Sequence, residues 1–258
     1  MEETLQVALI QSHLLWENPT ANLVNFDALL EDVSDSTQLI ILPEMFTTGF
    51  SMDPVTHAES MDGKTVQWLK KWSQKKNAAV CGSIIITDDN KYYNRFLFAT
   101  PEGKIQSYDK RHRFMMAGEG GLYTAGQETM LIEYKGWKIF PQICYDLRFP
   151  VFARNTVEYD VLIYVANWPK PRVGAWDALL KARAIENMSY CIGVNRIGLD
   201  GNGLEYVGHS AVYNVLGDEI AFAKAEEKII TATLSKNHIK ETRQRLPFLE
   251  DKDEFKII

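Results

Sequence analysis

Cysteine is scarce in this chain: Cys81, Cys144 and Cys191 are the only three in 258 residues. They are odd in number, widely spaced, and come without a CxxC or a neighbouring histidine pair. That excludes a disulfide framework and a zinc-ligand set. Long hydrophobic runs are missing as well, with no window reaching the ~18 apolar residues of a membrane-spanning helix. The N-terminal MEETLQVALIQSH is acidic and its apolar run is too short for a signal peptide. There is no basic excess: 28 Lys and Arg stand against 34 Asp and Glu, a net charge of −6. A phosphate backbone needs a basic face, so nucleic acid is not the expected partner. No repeat, low-complexity tract or linker interrupts the chain. These absences describe a protein of a reducing compartment, with the cytoplasm as the default location and no metal, nucleic acid or membrane partner.

What is present is ordinary in amount and informative in order. The 46% hydrophobic content suits a soluble globular protein. A chain of this length can bury roughly 70–75% of its extended surface without a staple. LQVALIQ (Leu5 to Gln11) reads as a buried strand. A helix follows, with Asn18 as N-cap, Pro19 at the first helical position, and Leu23, Phe26, Leu30 and Val33 at helical spacing. QLIILPE is a second buried strand, and Thr65 to Lys76 a basic amphipathic helix. AAVCGSIIIT and YYNRFLFAT are strands, with a tight PEGK turn after the second. TMLIEY and WKIFPQIC form a hairpin about Lys135-Gly136. A helix near Val151 to Val157, the strand VLIYVAN and a helix from Trp176 to Met188 come next. YCIGVNR, SAVYNV, EIAFAKA and KIITATL are strands, and Ser235 to Leu246 a last polar helix. Alternating strands and helices with late strands added imply a layered α/β fold in one domain. Several apolar strands lack polar alternation, as expected where both sheet faces are covered.

Chemistry in open α/β sheets sits beyond strand ends. The residues there are Glu44 after QLIILP, Cys144 after WKIFPQI, Asn167 after VLIYVA, and Lys110 at the end of KIQSYDK. Taken singly, each has a plain explanation. Cys144 can be a small core residue, Glu44 a turn cap, and Lys110 part of a solvated basic run or the partner of Asp109 or Glu119. Together they have a chemical logic. A thiol of pKa about 8.5 needs a base or a cation beside it to act as a nucleophile. A carboxylate can take its proton, and an ammonium can hold a developing oxyanion. The competing arrangement is a Cys–His hydrolase using His112, since such a pair is defined in space and not in sequence.

At this point the residues resemble a known family, the nitrilase superfamily of carbon–nitrogen hydrolases, in its omega-amidase-like branch. LPEMFTTGFS (42–51), YDKRHRFMMAGE (108–119), QICYDLRFP (142–150), YVANWP (164–169) and LLKARAIEN (179–187) carry the resemblance in the family's order. It implies a four-layer αββα sandwich over residues 1–258, with 235–258 as a polar C-terminal extension. It also implies a homodimer or higher homo-oligomer paired through helices, and a cofactor-free amidase. The implied catalytic set is Glu44, Lys110 and Cys144, supported by Glu119, with the Tyr145 backbone N–H as a second oxyanion donor. The arginine of CYDLR, Arg148, is either a buried anchor for a substrate carboxylate or the ion-pair partner of Asp146. Phe50, Trp168, Arg172 and Trp176 are expected pocket walls. Gly120 and Gly121 stand where many relatives carry bulkier residues, and either open the pocket or make a tight turn. Arg183 and Glu186 read as helix packing and ion pairing. The implied reaction releases ammonia from omega-amides of small dicarboxylic acids, such as 2-oxoglutaramate or 2-oxosuccinamate. Deaminated glutathione or a nitrile is the alternative substrate, and a catalytically silent scaffold the alternative of another class.

Overall fold

The apolar runs are two-faced. In β1 (Thr4–Gln11), Leu5, Val7 and Leu9 join one hydrophobic cluster while Ala8 and Ile10 join another. A strand whose odd and even residues are both buried lies between two apolar layers, which is why no polar alternation shows. A computed structural model describes residues 3–257. After β1 come α1 (Pro19–Glu31), β2 (Leu39–Ile41), α2 (Pro54–His57), α3 (Lys64–Lys76), β3 (Ala79–Asp88), β4 (Lys91–Ala99) and β5 (Ile105–Asp109). The middle of the chain holds α4 (Glu119–Leu122), β6 (Ile132–Tyr134), β7 (Trp137–Ile143), α5 (Pro150–Ala153), β8 (Val161–Ala166) and α6 (Val173–Asn187). It ends with β9 (Tyr190–Asn195), β10 (Ile197–Leu199), β11 (Glu205–Val207), β12 (Ala211–Tyr213), β13 (Glu219–Phe222), β14 (Lys228–Ser235) and α7 (Lys236–Arg245).

Two six-stranded mixed sheets result, in the orders β14-β1-β2-β3-β4-β5 and β13-β12-β9-β8-β7-β6. They face each other across a core that joins Leu5, Val7, Phe96 and Phe98 of the first to Ile139, Ile143, Val165 and Val194 of the second. On the outer face of the first sheet, Phe26 and Leu30 of α1 and Trp68, Leu69 and Trp72 of α3 cover Ile10, Ile40 and Val80. On the outer face of the second, α6 packs so closely on β9 that a Cβ on Gly193 would lie 2.3 Å from Leu180 and 2.7 Å from Trp176. The layers are therefore αββα, as the resemblance implies.

Local signals explain most boundaries. The Asn18 side chain accepts from the Ala21 N–H at 3.1 Å and so starts α1 behind Pro19. α1 stops at Glu31, short of Val33. Residues 235–258, expected as an extension, begin with α7, where the Ser235 side chain caps the His238 N–H and Ile239 and Thr242 are buried against the body. One expectation fails and one element is unforeseen. The helix expected over 151–157 is only the turn α5, because the Asn155 side chain bonds both the N–H and the C=O of Tyr159 and closes a loop instead. The β10–β11 hairpin, three residues a side with a glycine-rich turn, is too short for its pattern to show.

Candidate active site

Each expected chemical group stands where a strand has just ended. Glu44 follows β2, Lys110 follows β5, Cys144 follows β7 and Asn167 follows β8. The first two come from one sheet and the last two from the other, so the site bridges both. The backbone is strained at two of these exits, with φ of +46° at Cys144 and +42° at Met45, directly after Glu44. A non-glycine residue holds such a φ only when its surroundings over-determine it, a feature that collects at functional sites.

The polar centre is closed to solvent: Glu44 and Glu119 are wholly buried and Lys110 is 2% exposed. The Lys110 ammonium lies 3.0 Å from Glu44 Oε1 and 2.9 and 3.0 Å from the two oxygens of Glu119. Burial pushes the Lys110 pKa down, but Glu119 and Glu44 push it up further, and it ends above the ordinary lysine value. Glu119 is raised by burial against the pull of Lys110. The Cys144 thiol is raised well above the usual thiol range, first by burial and then by the charge of Glu44, against the pull of Lys110. A thiol held so high favours its protonated form, and any attack by it would need coupled proton removal.

Glu44 is held from both sheets. Asn94 of β4 donates to Oε1 at 2.7 Å, the Asn167 backbone N–H donates to Oε2 at 2.7 Å, and the Asn167 amide donates to the Glu44 carbonyl at 2.6 Å. The Asn94 carbonyl also accepts the Lys110 N–H, at 3.0 Å. Asn94 was not foreseen, since beside Arg95 in a strand that is otherwise largely apolar it carries no chemical signature. Asn167 had been noticed only for its place at a strand end. The thiol points at the Asn167 carbonyl, 3.9 Å away.

A cavity of about 70 Å³ opens at Cys144, with Lys110, Phe50, Tyr145, Asn167 and Trp168 in its wall. Arg148 and Arg172 line it too, with Arg148 at 4.9 Å from the Trp168 ring centroid and Arg172 at 5.3 Å from that of Phe114. Phe114, Ala117, Pro169, Leu204 and Tyr206 complete the wall. Leu204 and Tyr206 come from the unforeseen hairpin and its turn, and the Tyr206 hydroxyl donates to Asp200 at 3.0 Å.

Several expectations are corrected here. Arg148 is exposed rather than buried. It makes no ion pair with Asp146, whose oxygens accept from Tyr108 and His112 instead. Trp176 is not a wall. It lies wholly buried behind Trp168, ring centroids 5.5 Å apart, with its indole N–H on the His209 carbonyl. Gly120 and Gly121 belong to the turn α4 that carries Glu119 and do not line the cavity; a Cβ on Gly120 would meet the Met115 sulfur at 2.2 Å. His112 does not pair with Cys144. Its Nδ1 is 2.7 Å from Asp146 and its ring stacks on Phe149 at 3.7 Å. Arg183 bonds Glu186 at 2.8 Å, as expected, and also the Leu147 carbonyl, three residues beyond Cys144, at 2.6 Å. Cys81 and Cys191 are buried core thiols.

The carbon–nitrogen hydrolase family profile matches residues 6–244. The chain belongs to that family. The hydrolase is 44% identical over 256 residues to the omega-amidase YafV of Yersinia enterocolitica, covering 99% of each chain. It is 32% identical to a 2-oxoglutaramate amidase of Bacillus subtilis, over 95% of this chain and 96% of that one. Among solved structures it resembles XC1258 of Xanthomonas campestris, a CN-hydrolase superfamily protein carrying an arsenic adduct in its active site. That likeness has a TM-score of 0.97 and 43% identity over 99% of this chain and 100% of the other. Nit3 of Saccharomyces cerevisiae, a nitrilase-superfamily member, follows at a TM-score of 0.86 and 26% identity, over 95% of each chain. No group of His, Cys, Asp and Glu among the described residues could hold a metal ion. No helix of the described residues is long and apolar enough to cross a membrane.

Proposed function

We propose that this hydrolase is an omega-amidase, releasing ammonia from the terminal amide of small dicarboxylic acids such as 2-oxoglutaramate and 2-oxosuccinamate. The observation that carries the reading is one small cavity lined by a thiol and an ammonium, with the Glu44 carboxylate bonded to that ammonium behind the wall and two guanidinium groups along it. The similarity to named omega-amidases and 2-oxoglutaramate amidases supports the substrate class.

Glu44 takes the proton of Cys144 as the sulfur attacks the amide carbon. The oxygen becomes an oxyanion between the Lys110 ammonium and the Tyr145 backbone N–H. Such donors are worth about 2.7–4 kcal/mol where one has been removed. Tyr145 stands in the first turn of a short 3-10 segment, where leading N–H groups lack an intrahelical acceptor. Glu44 then passes its proton to the leaving nitrogen, and ammonia departs from a thioester on Cys144. Water, deprotonated by Glu44, attacks the thioester; the acid leaves and the thiol is restored. Glu119 takes no proton in this scheme and fixes Lys110 with two hydrogen bonds.

At the far end of the substrate, Arg148 receives the carboxylate, for which a planar guanidinium supplies two parallel donors. Phe50, Trp168 and Arg172 enclose the chain between. Cytoplasmic location and a homodimer complete the reading.

The test is ammonia release by wild type and Cys144→Ala from 2-oxoglutaramate, 2-oxosuccinamate, glutamine, asparagine, deaminated glutathione and a simple nitrile. Turnover concentrated on the two oxo-amides and lost in the variant is the expected result. Turnover of deaminated glutathione alone replaces the substrate. Silence on every compound, with Cys144 unreactive, moves the scaffold reading ahead.

A further inference from the structure

Asp146 is a wholly buried carboxylate that the reaction scheme leaves without a task. It stands two residues after the nucleophile, yet its bonds run to both sides of the site. Its Oδ2 accepts the Tyr108 hydroxyl at 2.8 Å and the Ile143 backbone N–H at 3.0 Å. Its Oδ1 accepts the His112 backbone N–H at 2.9 Å and meets His112 Nδ1 at 2.7 Å. Ile143 directly precedes Cys144, while Tyr108 and His112 flank Lys110 at two residues on either side. We propose that Asp146 is a positioning residue: it clamps the turn carrying Cys144 to the segment carrying Lys110 and sets how the sulfur and the ammonium face a shared substrate carbonyl.

The chemistry fits a carboxylate and little else. An ionised carboxyl group is acceptor-only, with about four lone-pair sites; three donors converge on it here, and His112 Nδ1 makes a fourth in the tautomer that carries its proton there. An asparagine would turn an NH2 group against two of them. The clamp also answers the strain at Cys144. A φ of +46° persists only if neighbouring contacts hold it, and the Asp146 bond to Ile143 closes the turn from one side while Arg183 grips the Leu147 carbonyl from the other. On the lysine side, Tyr108 also accepts the Arg111 N–H at 3.2 Å, so the segment 108–112 is gathered round one hydroxyl–carboxylate pair. Phe149 stacked on His112 blocks the imidazole from swinging away. Misplacing reacting groups by ~1 Å costs about 100-fold in rate, so a clamp between nucleophile and cation acts on kcat before it acts on binding.

This assignment rests on the roles proposed for Cys144 and Lys110. Its test compares wild type, Cys144→Ala, Asp146→Asn and Tyr108→Phe in kcat and KM for 2-oxoglutaramate, thermal midpoint, and the rate at which iodoacetamide alkylates Cys144. Alkylation needs the thiol but builds no oxyanion, so it separates loss of alignment from loss of the nucleophile. Asp146→Asn should lower kcat by about 100-fold with KM held within about twofold, and alkylation should fall far less than kcat. Tyr108→Phe, which removes one donor without changing shape, should lower kcat by roughly 5- to 10-fold. A folded Tyr108→Phe enzyme with full kcat overturns the clamp, even if Asp146→Asn fails to fold. Equal falls in kcat and alkylation overturn it too. Turnover retained by Cys144→Ala, by contrast, removes the reading beneath it.

Discussion

Replacing Lys110 with Met keeps the length of the stem and removes the one cation between two fully buried carboxylates. The ammonium lies 3.0 Å from Glu44 and 2.9 Å from Glu119. Removing one partner of a buried ion pair costs about 3–5 kcal/mol, because the remaining charge has no compensation. Against a total stability of roughly 5–15 kcal/mol this is a large fraction. At ~2–4 °C per kcal/mol for a chain of this size, the thermal midpoint should fall by roughly 6–20 °C. The loss should depend on pH, and its sign follows from Glu119. Burial already raises its carboxyl above the ordinary value, and without Lys110 the rise is larger. A group whose folded pKa exceeds its unfolded value stabilises fully below the unfolded pKa, about 4.3 for Glu. That contribution disappears as pH rises through the folded value. The gap between wild type and Lys110→Met should therefore widen from pH 5 to pH 8, and Lys110→Met/Glu119→Gln should recover part of it at pH 8. Thermal melts across that range measure it. A gap independent of pH, or a double variant no more stable than the single one, would refute the reasoning.

The pH dependence of thiol chemistry follows the same electrostatics. Because burial and Glu44 hold the Cys144 thiol well above its usual range, its alkylation by iodoacetamide should keep rising past pH 9 without a plateau; a plateau near neutrality would mean a preformed thiolate. Arg148→Met should raise KM for 2-oxoglutaramate by roughly 10- to 100-fold, the loss of a charge-assisted pair worth about 1.5–3 kcal/mol. Turnover of a monoamide lacking the carboxylate should barely change, and an equal loss on both would contradict the anchor. Gly193→Ala should destabilise the α6–β9 contact by about 1–3 kcal/mol through overpacking against Leu180 and Trp176; unchanged denaturant midpoints would show that α6 can yield.

The layered fold was legible because its cause is local. Apolar strands buried on both faces, Asn18 before Pro19 and the basic helix α3 all leave short-range marks. Glu44, Lys110 and Cys144 could be singled out as chemical groups at segment ends, and the structure sets the Lys110 ammonium 3.0 Å from Glu44 and in one cavity wall with Cys144. What could not be read was partnership across the sheets. Asn94 reaches Glu44 from fifty residues away and looks like a stray polar residue in β4. Asp146 looked like the partner of nearby Arg148, yet the topology delivers Tyr108 and His112 to it instead. Trp176 shares the aromatic character of a pocket wall, and only the packing of α6 puts it behind Trp168. Tyr206 sits on three-residue strands, below the length at which alternation carries a signal. Glu119 needed the family resemblance, because an acid among glycines has no local signature of burial.

The central claim is a thioester formed on a neutral thiol that Glu44 deprotonates during attack. Rapid acid quenching of the enzyme turning over 2-oxoglutaramate, followed by peptide mass analysis, tests it most directly. A mass gain equal to the substrate less ammonia on the Cys144 peptide, and on neither the Cys81 nor the Cys191 peptide, is the predicted result. Steady ammonia release with the Cys144 peptide unmodified at every quench time would contradict it.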